Sequence, residues 1–419
     1  MLRTADLMER ELTCYVTETC FRLSDNLKAI TYVKKSVIMR LSFIKLEGIL
    51  LLSVGFAGLL FIMHGNKNGD EPLTLEKEEH KPANPSRLTV ASAELKKLEW
   101  LPSCQENKSM QSIEGFSKLP THIKDFLRYR HCKSFPQILN LPNKCGGVAE
   151  SKNVFLLFAI KSSPGNYERR AIIRQTWGEE TSYGGAHVKR IFLSGTSNNE
   201  REDRHLRQLL KIESQTFADI LQWDFHDTFF NLTLKQFLFH MWLDEYCPGA
   251  NFIFNGDDDV FVNTFNAVTY LRDHKADRHL FVGQLIANVG PIREAGSKYY
   301  VPVQVTASDS YPMYCGGGGI LMSRYTSHVI HNKSQDIPLF PIDDVYLGMC
   351  LEKAGLVPAS HMGMSTVGVH VPSAKLDSFN PCYYRELLMV HRFIPYQMLV
   401  MWKAIQDPHL DCGQKLSLF

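Results

Sequence analysis

Asn251-Phe252-Ile253-Phe254-Asn255-Gly256-Asp257-Asp258-Asp259-Val260-Phe261-Val262-Asn263 sets three consecutive carboxylates between two short runs of strand-forming residues. Phe252 to Phe254 read as a buried strand, Gly256 permits a sharp turn, and Val260 to Val262 resume an extended run. The acids therefore fall at the end of a strand. Three adjacent carboxylates repel one another unless a hard divalent cation or a charged partner neutralises them. A solvated acidic turn is the plain alternative, and the apolar flanks on both sides weigh against it.

Upstream of this stretch, strand and helix signals alternate. Asn153 to Ile160 is an apolar run with the length of a buried strand, and a basic helix candidate follows from Tyr167. Val188 to Leu193 is a second strand. Next comes a helix capped at Asn198 or Asn199, with Leu206, Leu209 and Leu210 on one face. Ile220 to Trp223 is a third strand, and Leu234, Phe237, Leu238, Met241 and Trp242 repeat with helical spacing just before the acidic strand. The order β-α-β-α-β-α-β predicts an α/β fold with a mostly parallel sheet covered by helices. Its ligand crevice should lie at the carboxyl ends of the strands, where Asp257 to Asp259 are expected. No internal repeat is visible.

The N-terminal region has a different character. Gly48 to Met63 is an unbroken apolar run of 16 residues, about 24 Å as a helix. It starts too far into the chain for a cleaved signal peptide and lacks the small residues of a cleavage site. Lys28, Lys34, Lys35, Arg40 and Lys45 precede it, and Asp70, Glu71, Glu76, Glu78 and Glu79 follow. The expectation is an uncleaved signal anchor with residues 1–47 in the cytosol, a buried core helix being the alternative. Residues 64–100 are charged, contain three prolines and show no apolar period, which reads as a flexible stem. A catalytic region is expected over residues 101–419. Met39 would start a compact tail before the anchor.

Of the ten cysteines, eight follow the anchor and can pair completely as four disulfides, while Cys14 and Cys20 should stay reduced. Asn107, Asn231 and Asn332 are sequons in the expected lumenal part. A net charge of +2 from 46 basic and 44 acidic residues gives no nucleic-acid footprint.

A cation held by acids at the strand ends of an α/β sheet suits a phosphate-bearing substrate. Arg169, Arg170 and Arg174 supply complementary charge, Arg170 and Arg174 being four apart and so on one helix face. A solvated basic face is the alternative. Asp343-Asp344, ahead of an apolar run, reads either as a catalytic carboxylate pair or as a helix N-terminus. If the segment is extended, the two side chains point oppositely and do not share one task. Gly316 to Gly319 let backbone approach a ligand closely, or form a flexible turn.

Taken together and in order, these blocks resemble glycosyltransferase family 31, the β-1,3-glycosyltransferases of the Golgi. The matching blocks are Arg170-Ala171-Ile172-Ile173-Arg174-Gln175-Thr176-Trp177-Gly178, Asp224-Phe225-His226-Asp227 through Asn231-Leu232-Thr233-Leu234-Lys235, Asp257 to Phe261, Tyr314 to Ser323, and Pro341 to Gly348. The resemblance implies a GT-A-like nucleotide-sugar-binding fold and inverting transfer from UDP-N-acetylglucosamine to the 3-hydroxyl of a terminal galactose. It further implies Mn²⁺, or Mg²⁺ in its place, and a type II Golgi membrane location. The four-glycine form is similar to that of the N-acetylglucosaminyl branch; a galactosyltransferase of the same family is the nearest alternative. A catalytically silent glycan-binding or heteromeric partner is the alternative from another class, and assembly with itself or related glycosyltransferases is open.

By the same resemblance, Asp259 and His391 hold the metal, with His370 as rival to His391. Asp344 is the catalytic base, and Arg170, Arg174, Asp227, Lys235, Asp257, Asp258, Gly317 and Gly318 bind substrate. The segment Val303 to Ser310 lacks the acidic residue the family usually carries after its proline, which bears on acceptor choice.

Overall fold

The computed structural model describes residues 104–369 and 377–413. The expected tail (1–47), anchor (48–63) and stem (64–100), with Cys14, Cys20 and His370, lie outside the described residues. Among the described residues no helix is long and apolar enough to cross a membrane.

The strands are β1 (Gln137–Leu139), β2 (Val154–Lys161), β3 (Ser182–Tyr183), β4 (Ala186–Thr196), β5 (Ile220–His226), β6 (Phe252–Asp257) and β7 (Val260–Val262), then β8 (Phe281–Gly283), β9 (Leu285–Ile286), β10 (Tyr314–Cys315), β11 (Gly319–Ser323), β12 (Ala359–Ser360), β13 (Met364–Ser365) and β14 (Met389–His391). The α-helices are α1 (Thr121–Tyr129), α2 (Tyr167–Gln175), α3 (Glu200–Phe217), α4 (Leu232–Tyr246), α5 (Thr264–Arg272), α6 (Arg324–Ser334), α7 (Asp343–Lys353), α8 (Pro381–Tyr384) and α9 (Pro395–Ile405). Every element expected between Asn153 and Val262 is present.

The main sheet runs in the order β1-β5-β4-β2-β6-β11-β8-β12, with β3 on β4. Its centre, β5-β4-β2-β6, is parallel as expected. The sheet as a whole is mixed, because β11 enters antiparallel between β6 and β8 and β1 closes the other edge antiparallel on β5. The strand order reverses at β2, which has β4 on one side and β6 on the other. A crevice therefore opens at the carboxyl ends of β2 and β6.

Alternate residues of β2 feed two cores. Leu157 and Ala159 pack with Phe237, Phe239 and Tyr346, while Leu156, Phe158 and Ile160 pack with Trp177, Phe192 and Phe254. Covered on both faces, the strand reads as one apolar run with no alternation. Each such large side chain contributes about 1.5–3 kcal/mol by leaving water. Helix α4 is enclosed nearly all round, with ten buried residues from Thr233 to Leu243; Met241, expected on its apolar face, is instead exposed.

Two antiparallel pairings bring distant chain to the acidic turn. Gly319 lies opposite Gly256, so the backbone N–H of Asp257 donates to the carbonyl of Gly318 at 2.9 Å. His391 lies opposite Val260, and the N–H of Phe393 donates to the carbonyl of Asp259 at 2.7 Å.

Among the described residues three disulfides form: Cys104–Cys132, Cys145–Cys247 and Cys382–Cys412. The fourth expected pair does not. Cys315 is buried in β10 with its thiol toward the carbonyl of Ala359, and Cys350 is buried on α7. Burial pushes both thiols up to about 12, so they stay protonated.

Candidate active site

Lys161, the last residue of β2, sits in the middle of the crevice with a side chain only 6% exposed. Its Nζ lies 3.0 Å from Asp257 Oδ1 and donates to Asp343 Oδ2 at 2.8 Å. Burial alone would lower its pKa, but Asp257, Asp343 and Asp344 around it raise it above the ordinary lysine value. Gln236 of α4 reaches the same Asp343 carboxylate at 3.5 Å, so the starts of α4 and α7 converge here.

Asp257, Asp259 and His391 offer ligand atoms that all lie within 4.8 Å of one another. His391 Nε2 is 2.9 Å from Asp259 Oδ1 and 3.9 Å from Asp257 Oδ2. Burial disfavours the charged form of each, yet pairing dominates: it holds Asp259 below the usual carboxylate range and raises His391. Arg169 completes the group, its Nη1 3.4 Å from Asp259 Oδ2 and 3.3 Å from Asp258 Oδ1. Among the described residues, the five carboxylates Asp257, Asp258, Asp259, Asp343 and Asp344 thus meet only Lys161, Arg169 and one imidazole as counter-charges. A set of two carboxylate oxygens and an imidazole nitrogen, with negative charge left over, fits a divalent cation. Cys104, His131 and Cys132 also converge, but both sulfurs are spent in a disulfide.

Asp344 lies in the first turn of α7. The extended geometry considered for Asp343-Asp344 is therefore corrected to a helical one, with Asp343 turned to Lys161 and Asp344 to Gly317. Burial and the adjacent Asp343 raise the Asp344 pKa well above the carboxylate norm, the direction that strengthens a base. The two glycines expected against a sugar border protein groups of the site. A Cβ on Gly317 would lie 2.8 Å from Asp344 Oδ2, and one on Gly318, whose φ is +119°, would lie 3.0 Å from His391 Cγ.

Several residues expected to bind substrate are committed elsewhere. Arg170 is fully buried and donates to Glu213, Ser162, Ser163 and Pro164. Arg174 is held by Asp219 and Glu213 and lies over the rings of Phe192 and Phe217. Their shared face is the inner one, so a diphosphate does not reach it; Arg169 is the cation turned to the acids. Asp227 and Lys235 neutralise each other at 2.7 Å, with side chains 3% and 1% exposed. Asp258 is 6% exposed and accepts from Asn166 at 2.8 Å; burial raises its pKa.

Among the sequons, Asn332 is exposed on α6, and Asn107 accepts from Ser109 in a helix cap. Asn231 donates to the carbonyl of His226, while Thr233 of the same triplet is buried against Phe340. Lys161 and Gln236 were not singled out from sequence. A lone lysine ending a seven-residue apolar run was the available signal for the first; Gln236 had none.

Residues 168–362, which include the arginines of α2, the acidic turn and the start of α7, match the model of the galactosyltransferase family. The human N-acetyllactosaminide beta-1,3-N-acetylglucosaminyltransferase 3 is 49% identical over 88% of this chain and 97% of its own length. The chain belongs to the galactosyltransferase family. Within this family, glycosyltransferase family 31, it falls with the β-1,3-N-acetylglucosaminyltransferases and is a hexosyltransferase. The mouse acetylgalactosaminyl-O-glycosyl-glycoprotein beta-1,3-N-acetylglucosaminyltransferase is likewise 49% identical, over 80% of this chain and 85% of its own. The mouse UDP-GlcNAc:betaGal beta-1,3-N-acetylglucosaminyltransferase 7 is 43% identical over 75% and 79%. These family members carry different acceptors in their names, a galactoside in two and N-acetylgalactosamine in the third.

Proposed function

We propose that this galactosyltransferase-family protein transfers N-acetylglucosamine from UDP-N-acetylglucosamine to the 3-hydroxyl of a terminal galactose, with inversion, on a GT-A-like fold. The observation that carries the reading is that one glycine loop touches both halves of the chemistry. Gly317 borders Asp344, and Gly318 borders His391 and bonds the backbone of Asp257. Base and cation group thereby both lie against adjacent residues of one turn.

Asp344 takes the proton of the acceptor hydroxyl as that oxygen attacks C1 of the donor sugar. Asp257, Asp259 and His391 would hold Mn²⁺, or Mg²⁺, which when bound offsets charge on the departing diphosphate. Arg169 adds fixed positive charge on that side, and Lys161 keeps Asp257 and Asp343 in place. Residues 1–47 lie in the cytosol and 48–63 span the Golgi membrane in this reading, with the catalytic region lumenal. The charge asymmetry around the span supports this, and three disulfides suit an oxidising compartment.

The test is transfer by the full-length chain in membranes, with each of UDP-N-acetylglucosamine and UDP-galactose, onto galactose-terminated and α-N-acetylgalactosamine acceptors. A 3-linked N-acetylglucosamine on galactose is expected. Transfer only to N-acetylgalactosamine would overturn the acceptor, and transfer only of galactose the donor. No transfer by protein that still binds UDP would favour the silent-partner alternative.

A further inference from the structure

Gln284, between β8 and β9, is tied twice to the surroundings of the candidate active site. Its backbone carbonyl accepts from the N–H of Gly316 at 2.8 Å, and Gly316 opens the glycine run that borders Asp344 and His391. Its side-chain Oε1 accepts from the N–H of Thr366 at 2.5 Å and from the Thr366 hydroxyl at 2.7 Å. A backbone N–H can only donate, so the atom facing Thr366 must be the carboxamide oxygen. One glutamine thus holds one threonine at two points.

Thr366 in turn stands next to a residue of the cation group. Strands β13 and β14 pair in parallel, with Met364 opposite Met389 and Ser365 opposite Val390. The next step along this register sets Thr366 beside His391. The His391 ring bonds the Thr366 backbone, and because Nε2 faces Asp259 Oδ1 at 2.9 Å, Nδ1 is the nitrogen left for that bond. The glycine run closes on the same two residues: a Cβ on Gly316 would lie 3.7 Å from Thr366 Cγ2, and one on Gly318 would lie 3.0 Å from His391 Cγ. Thr366 and the glycines together hold the imidazole, and Gln284 is bonded to both.

We propose that Gln284 is a positioning residue for the cation group: its carboxamide oxygen fixes Thr366, and Thr366 fixes the His391 imidazole with Nε2 toward Asp257 and Asp259. An imidazole that binds a metal through one nitrogen is aimed by the bond its other nitrogen makes, and losing such a supporting partner weakens metal binding by about 10–100-fold. What the position requires is an acceptor oxygen at this length of side chain. This inference rests on the cation site of the reading above and not on which sugar is transferred.

The test is binding of Mn²⁺ to the full-length chain in detergent, followed by the electron paramagnetic resonance of the free ion. Gln284→Met keeps the length of the side chain and removes the acceptor, and it is expected to weaken Mn²⁺ binding by about tenfold or more. Gln284→Glu keeps the oxygen and should bind Mn²⁺ as the wild type does. Wild-type affinity in Gln284→Met, or a Gln284→Glu chain as weak as Gln284→Met, would overturn the assignment. Should Gln284→Met not fold, Thr366→Val removes only the hydroxyl bond and is expected to weaken binding by about threefold; wild-type affinity there overturns the assignment as well. If the wild-type chain binds no Mn²⁺, the cation reading fails on its own. Deuterium exchange at His391 C2, read by mass spectrometry, then decides the positioning: exchange altered in Gln284→Met and restored in Gln284→Glu supports it, and equal exchange in all three chains overturns it.

Discussion

Gly317 and Asp344 are in direct contact across the crevice: a Cβ on the glycine would lie 2.8 Å from the carboxylate Oδ2. A methyl group there must push Asp344 out of position, since the glycine backbone is pinned by the neighbouring pairing of β11 with β6. Displacing a base by about 1 Å costs on the order of a hundredfold in rate. Gly317→Ala is therefore expected to lower kcat by about that factor with UDP affinity kept. Asp344→Asn should do the same, and the double variant should be little worse than either single one. A double variant whose loss is the product of the two would separate Gly317 from the base.

How much of this arrangement could be read in the sequence depends on what each signal measures. Apolar runs and turn residues report burial and direction, and they located the strands and α-helices from Asn153 to Val262 except the two-residue β3, and missed the 3-10 turn Phe229–Asn231. They also put the acids at a strand end. The antiparallel entry of β11 was not legible, because a short run such as Gly319–Ser323 carries no mark of its direction. Helix α4 was legible as a helix but not as an enclosed one, since Lys235, Gln236 and His240 are polar residues buried with partners. Spacing showed that Arg170 and Arg174 share a face without showing which face. One position earlier, Arg169 is turned about 100° around the helix and meets the acids. Lys161 was overlooked because one charge at the end of an apolar run looks like a strand boundary.

The two arginine roles separate by mutation. Removing Arg170 takes the bidentate partner from buried Glu213, which keeps Arg174 at 2.8 Å, so the cost falls at the low end of that for a broken buried pair, about 3 kcal/mol. Arg170→Ala should accordingly lower folding stability by roughly that amount. Donor affinity of the folded fraction should stay unchanged. Arg169 is 29% exposed, so Arg169→Ala should leave stability within about 0.5 kcal/mol and weaken UDP binding. Thermal unfolding and UDP titration of both variants decide the matter. Weakened UDP binding by fully folded Arg170→Ala would return that residue to the donor site.

His240 makes stability depend on pH in a predictable sense. It is buried on α4, with Nδ1 3.0 Å from Ser327 Oγ and no partner for Nε2 among the described residues. Burial, with His331 and His328 nearby, lowers its pKa from 6.5 to about 3. Between those values the unfolded chain binds a proton that the folded chain does not. Stability from this residue is thus fully present above about 6.5 and is lost as pH falls, by about 1.4 kcal/mol per pH unit. His240→Asn keeps a polar atom near Nδ1 for Ser327 and removes the titration. In denaturant unfolding at pH 7.5, 6.5 and 5.5, the wild type should lose stability relative to His240→Asn only below about 6.5. Parallel curves would show that the imidazole is not held neutral in the folded chain.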